Sequence, residues 1–217
     1  MAINGVNIVE ILNKVSEVMD NNKIHLSELD AVIGDGDHGV NMSKGFHAVQ
    51  EKLKDDDCSD VGNILKKAGM ALVANVGGAS GPLYGTAFMK AAVSVNGKES
   101  IELNDFVKML EEALAGIKMR GKAELDDKTM IDAIEPALNS LKRAIESGLN
   151  TVECLREMKD AALNGVEHTK DIIAKKGRAS YVGERSIGHQ DAGATSSYYI
   201  LNTIYEEVEK IKEEGAM

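Results

Sequence analysis

Residues 7–19 read Asn7-Ile8-Val9-Glu10-Ile11-Leu12-Asn13-Lys14-Val15-Ser16-Glu17-Val18-Met19, and the apolar members Ile8, Ile11, Leu12, Val15, Val18 and Met19 recur at steps of three and four. Such spacing lines one face of an α-helix, whereas a half-buried strand needs strict alternation. The same steps link Ile134, Leu138, Leu141 and Ile145, and no convincing run of period two occurs along the chain. Read outward, the pattern predicts helices at roughly 4–21, 24–33, 38–54, 60–76, 82–95, 103–119, 128–148 and 151–174, with a last one near 193–214. The count is eight or nine, depending on whether the second and third are one helix broken at a loop. The expected fold class is all-α.

Two prolines punctuate this pattern. Pro82 follows Ser80-Gly81 and suits a first helical turn, where a missing N–H costs nothing. Pro136 falls inside the 128–148 pattern and predicts a kink or a break there. The stretch Ala68 to Met89 lacks charge and has the length of a membrane span, but Asn75, Ser80, Pro82, Thr86 and the glycines Gly77, Gly78, Gly81 and Gly85 make it too polar and broken. Two buried helices joined by a glycine turn fit better. No linker, low-complexity tract or repeat divides the chain, and Asp55-Asp56-Asp57 reads as a solvated loop, so one domain spanning 1–217 is expected.

With 43% hydrophobic residues, the 217-residue chain can bury a sizeable core. Its formal charge of −10 argues against a nucleic-acid surface or a basic membrane anchor, and an anionic ligand would need a local cation or backbone donors. Cys58 and Cys154 lack metal-ligand spacing and read as incidental thiols of a reducing compartment. Glu10 and its polar neighbours interrupt any signal-peptide core, so a cytoplasmic protein is expected.

The loop Asp30-Ala31-Val32-Ile33-Gly34-Asp35-Gly36-Asp37-His38-Gly39-Val40-Asn41 packs three carboxylates between glycines. Their repulsion is relieved by a cation, and hard oxygen ligands suit Mg²⁺ or Ca²⁺. Gly34 to Gly39 matches the dinucleotide pattern GxGxxG by letter, but Asp35 and Asp37 would repel a pyrophosphate and no βαβ unit surrounds them. An EF-hand fails too, because Gly39 and Phe46 would stand where ligands belong. The remaining reading is a metal clip completed by other ligands, with phosphate oxygens the natural choice for Mg²⁺.

Gly77-Gly78-Ala79-Ser80-Gly81-Pro82 opens a helix whose bare N-terminus can meet an anion, and no Walker lysine is present. Lys175 to Gly193 is the longest non-helical stretch, dense in polar donors, and its arginines suggest an anion site on an acidic protein.

GDGDHGVNM at 34–42, GGASGPLYG at 77–85, RGKAELDDKTM at 120–130 and GRASYVGERSIGHQD at 177–191 together resemble, in order and spacing, the nucleotide-binding L subunits of dihydroxyacetone kinases. The resemblance covers nearly the entire chain. It implies a closed barrel of eight antiparallel helices with ADP or ATP and two Mg²⁺ ions at one end. Asp30, Asp35 and Asp37 would ligate the ions. His38 and Asn41 would lie along the phosphates, with Ala79 and Ser80 contacting them. Gly121 and Met130 would border the adenine, and Arg178 with Asp191, Ala192 and Gly193 would close over the nucleotide. Two departures stand out: Leu125-Asp126 replaces a frequent Pro-Gly, and Ala192 replaces the usual Pro.

A free-standing L chain further resembles the systems in which phosphoenolpyruvate is the ultimate donor. There ADP is rephosphorylated in place by a phosphotransferase-system M subunit and passes its phosphoryl group to dihydroxyacetone on a separate K subunit. No acceptor base is assignable within this chain. The resemblance also allows an ATP-dependent kinase subunit for another small polyol or ketose, a nucleotide-dependent regulator of a transcription factor, and a homodimer.

Overall fold

The computed structural model describes residues 1–215. Nine α-helices run through these residues: α1 Gly5–Asn21, α2 Lys23–Ile33, α3 His38–Leu53, α4 Val61–Asn75, α5 Ser80–Ser94, α6 Leu103–Gly121, α7 Ile131–Glu146, α8 Thr151–His168 and α9 Ala192–Glu214. The second and third expected helices are thus separate. Two residue pairs escaped the sequence reading: β1 (Ile3–Asn4) pairs antiparallel with β2 (Ser100–Ile101), Ile3 opposite Ile101. A two-residue strand is too short to show alternation.

Local chemistry explains most helix ends. Asn4 and Asn150 close capping boxes with Asn7 and Glu153, while Asp60 and Asp191 accept from the third backbone N–H of their helices. α7 begins at Ile131 rather than 128 because Lys128 has φ +61°, outside helical space, and the Asp132 carboxylate takes the Thr129 N–H. α8 stops at His168 instead of running to 174. Beyond it lie a 3₁₀ turn over Thr169–Asp171 and a longer 3₁₀ stretch, Arg178–Ser186, broken by a kink at Gly183 (φ +57°). Pro136 does not break α7. The Asp132 carbonyl, four residues before it, has no N–H to accept from Pro136, and Gly165 of α8 packs so closely on that carbonyl that a Cβ there would overlap it.

With α2 set aside, the helices pack in chain order, α1 on α3, α3 on α4, α4 on α5, α5 on α6, α6 on α7, α7 on α8 and α8 on α9, and α9 returns to α1. α2 lies against α3, with smaller contacts to α9 and to the Arg178–Ser186 segment. Inward faces such as Ile8, Phe46, Leu72, Leu141 and Met158 form one large apolar core. A partly open cavity of about 170 Å³ is walled by residues of this core including Ile11, Ala87, Phe88, Ile134 and Leu201. Among the described residues, no helix is long and apolar enough to cross a membrane. Both cysteines are free thiols.

Candidate functional site

α2 ends at Ile33 and α3 begins at His38, so the intervening turn must reverse the chain in four residues. Gly36 supplies φ +77°, and Gly34 leaves room for the Asp30 carboxylate, which a Cβ would overlap. Asp30 Oδ2 accepts the backbone N–H groups of Asp37 (3.0 Å) and His38 (3.3 Å), which fixes the turn against the last turn of α2. As a result Asp30, Asp35 and Asp37 each present a carboxylate oxygen, all within 4.8 Å of one another. Three hard, anionic oxygen donors gathered by the last turn of α2 and the short turn after it fit a divalent cation such as Mg²⁺. Arg178 reaches over this cluster, its guanidinium 2.9 Å from Asp35 Oδ2.

His38, buried at the start of α3, is held at both ring nitrogens. Nε2 lies 2.8 Å from Ser196 Oγ and Nδ1 lies 3.2 Å from Ser80 Oγ. Burial pushes its pKa below the ordinary value against the pull of Asp30 and Asp37, which favours a neutral ring. Beyond Ser196 the polar chain continues to the Tyr84 hydroxyl (2.7 Å), which also meets Ser197 Oγ (2.8 Å) and donates to the Gly193 carbonyl (3.1 Å). Burial moves the Tyr84 phenol up to about 12, so it acts as a neutral hydroxyl. This chain links the carboxylate loop, the N-terminus of α5 and the N-terminus of α9. Asn41 stands one turn into α3, with its side-chain amide against Gly77, at the entrance to the glycine turn before Ala79 and Ser80.

The other expected residues lie on a second set of loops. Gly121 closes α6, close to the Leu83 side chain, and Met130 precedes α7 beside Gly193. Asp191 caps α9, accepting the Ala194 N–H at 2.7 Å, and its own N–H donates to Thr169 Oγ1. Exclusion of water, then the nearby Asp132 and Asp30 charges, push its carboxyl up to about 7, although the Ala194 N–H and Lys128 oppose the shift. Ala192 is buried in the first turn of α9.

Sequence reasoning missed Tyr84, Ser196 and Lys128. Tyr84 and the Ser196-Ser197 pair carry a visible signal, hydroxyls on helix faces that otherwise bury apolar groups. Lys128 carries none, because a lysine between two helices ordinarily reads as solvated. Here it is 1% exposed, and burial lowers its pKa while Asp191, Asp132 and Asp171 oppose that shift.

Residues 32–206 match the family described as the DAK2 domain. The chain is 41% identical over 204 residues to the "PEP-dependent dihydroxyacetone kinase, ADP-binding subunit DhaL" of Escherichia coli (strain K12), covering 94% of this chain and 97% of that protein. It is 42% identical over 200 residues to the "PTS-dependent dihydroxyacetone kinase, ADP-binding subunit DhaL" of Lactococcus lactis, covering 92% and 96%. An "L-erythrulose 1-kinase" of Mycolicibacterium smegmatis is 33% identical, but only 35% of that longer protein is covered. The native crystal structure of the dihydroxyacetone kinase of C. freundii superposes with a TM-score of 0.72 at 26% identity, over 94% of this chain and 34% of that one. With the glycine-aspartate loop, the glycine turn before α5 and the Arg178 segment in the expected order, this chain belongs to the DAK2 domain family.

Proposed function

We propose that this chain is the nucleotide-binding subunit of a phosphoenolpyruvate-dependent dihydroxyacetone kinase, a single domain over 1–217 working in the cytoplasm. The observation that carries the reading is the Asp30, Asp35, Asp37 cluster set beside the Ser80 end of α5 and spanned by Arg178. Near-full-length identity to ADP-binding subunits supports the nucleotide, and the packing cycle from α1 through α3 to α9 and back supports a closed barrel of eight antiparallel helices with the site at one end. The three carboxylates would hold two Mg²⁺ ions, which when bound neutralise the charge that phosphoryl transfer spreads over oxygen. His38, Asn41, Ala79 and Ser80 would contact the phosphates. The neutral His38 ring is fixed by Ser196 and aligned on the Ser80 hydroxyl, so it orients donors without adding charge. Gly121 and Met130 would wall the base, and Arg178, Asp191, Ala192 and Gly193 would cover the nucleotide and exclude water. These residues would hold ADP as a resident cofactor, and the bound nucleotide would serve to relay a phosphoryl group from a phosphotransferase M subunit to dihydroxyacetone on a K subunit, which would also supply the acceptor base.

The test combines thermal melts with reconstitution. ADP with Mg²⁺ at about 100 times its dissociation constant should stabilise the chain by roughly 2.7 kcal/mol, and a chelator should abolish the gain. Turnover of dihydroxyacetone should require the K and M subunits with phosphoenolpyruvate, and labelled ADP in solution should not exchange into the working complex. Identical melts with and without ADP overturn the nucleotide assignment. Turnover by the isolated chain with ATP, or fast ADP exchange, favours the ATP-dependent subunit for dihydroxyacetone or another ketose.

A further inference from the structure

Lys128 is a fully buried lysine whose only polar atom is saturated from one direction. Its three ammonium N–H groups have three carbonyl acceptors: Thr169 O at 2.6 Å, Ile172 O at 3.2 Å and Ser186 O at 2.6 Å. Thr169 and Ile172 begin the irregular segment after α8, and Ser186 ends the longer 3₁₀ stretch. One side chain therefore ties both ends of residues 172–186 to the loop before α7. Neighbouring bonds repeat the tie. The Lys175 N–H donates to the Asp127 carbonyl (3.0 Å), and Lys175 Nζ donates to that of Asp126 (2.9 Å). Within the segment, Ser186 Oγ accepts from Ala174 N and donates to the Gly183 carbonyl. At the far side of the same segment, Arg178 meets Asp35 of the metal loop.

The geometry points to Lys128 as the positioning residue that holds segment 172–186 closed over the nucleotide and thereby sets how long the nucleotide stays bound. The inference rests on the reading of the site as a nucleotide site walled by Met130, Arg178 and Gly193. Without the ammonium, three carbonyls converge with no donor between them, and their mutual repulsion favours an open segment. Arg178 then loses its fixed base, although no contact with a ligand has been removed. A cofactor that must survive repeated phosphorylation in place depends on such slow release.

The experiment compares the full chain with Lys128→Met, which keeps the length but removes the donors, and Lys128→Gln, which restores two of them. Release of a fluorescent ADP analogue, chased with excess ADP in Mg²⁺, should accelerate about tenfold or more in Lys128→Met and less in Lys128→Gln. Hydrogen exchange should rise in 169–187 while α1 and α4 stay protected. Should Lys128→Met fail to melt cooperatively, Lys128→Gln decides by the same two readouts. Unchanged release from a folded variant, exchange rising evenly over the chain, or loss of folding in both variants overturns the proposal. Failure of the unaltered chain to bind the analogue overturns the nucleotide reading instead, and local exchange in 169–187 still reports on Lys128.

Discussion

In the carboxylate loop over 34–37 the left-handed position is filled by glycine, Gly36 at φ +77°, whereas the loop over 122–130 places Lys122, Asp126 and Lys128 at φ +48°, +67° and +61°. The first conformation is available to its residues at little cost, while the second is unfavourable for each side chain and persists only because other parts of the molecule hold it. Asp132 accepts the Asp126 and Thr129 N–H groups, His168 pairs with Asp126 at 2.8 Å, and three distant carbonyls surround Lys128. The two loops are thus built differently: one is encoded locally and the other is imposed by tertiary contacts. Asp126 is instructive, since its φ of +67° is one that glycine adopts without the cost a side chain brings.

The sharpest way to break the comparison is to remove charge from the locally encoded loop. Asp35→Asn and Asp37→Asn should leave helical circular dichroism unchanged while reconstituted phosphoryl transfer falls roughly 10²- to 10³-fold, because the lost charge acts on the transition state and both side chains are exposed. Full activity in both would reduce the loop to a turn.

On the imposed side the damage should fall on stability. Asp132→Ala leaves two backbone donors without their carboxylate in a buried setting and should cost about 2–4 kcal/mol in chemical denaturation. A cost below about 1 kcal/mol would mean that 122–130 holds itself.

Asp191 adds a pH signature. Its folded-state pKa of about 7 lies above the ordinary 3.8, so the folded protein binds the extra proton and this group lowers stability as pH rises from about 4 to 7. Asp191→Asn keeps an acceptor for the Ala194 N–H and removes that titration. The nucleotide-free variant should match the parent near pH 4 and exceed it above pH 7 by on the order of 2 kcal/mol. His38, depressed below 6.5, contributes in the opposite sense as pH approaches 6.5, so the difference between the two denaturation profiles is the measurement that isolates Asp191. Parallel profiles would show that its carboxyl ionises normally.

The smallest effects test the comparison by sign. Gly36→Ala should destabilise by about 1 kcal/mol, since its φ disfavours a Cβ and Ala31 lies in tight contact. Asp126→Gly should stabilise by about 0.5 kcal/mol, relief of backbone strain exceeding the loss of an exposed pair with His168. Thermal melts of the two variants moving in the same direction would refute the contrast.

Helix positions were legible because amphipathic spacing and caps are local: α2, α3, α6 and α9 begin within a residue of their expected starts. The departures sit where distant groups intervene. α8 ends six residues early because Lys128 takes the Thr169 and Ile172 carbonyls beyond it while the Thr169 hydroxyl takes that of Val166 in its last turn, and α7 passes Pro136 unbroken with Gly165 packed at the freed carbonyl. Among site residues, the three aspartates were readable as a cluster, since a seven-residue step across a glycine turn leaves them nowhere else to go. The hydroxyl chain from Ser80 through His38 and Ser196 to Tyr84 joins residues more than 100 positions apart, which no local pattern encodes.

By itself the sequence determined an all-helical chain, the ends of most helices, a carboxylate loop suited to a hard cation, and membership of a family whose motifs lie along nearly its full length. These follow from side-chain periodicity, capping and glycine turns, each acting within a few residues. Only the tertiary structure decided that Lys128 is buried, that Asp191 holds its proton to about pH 7, and that Arg178 spans to Asp35. Burial and charge proximity depend on what the rest of the chain packs around a residue, and that is set by the cycle of helix contacts rather than by the residue's neighbours in sequence.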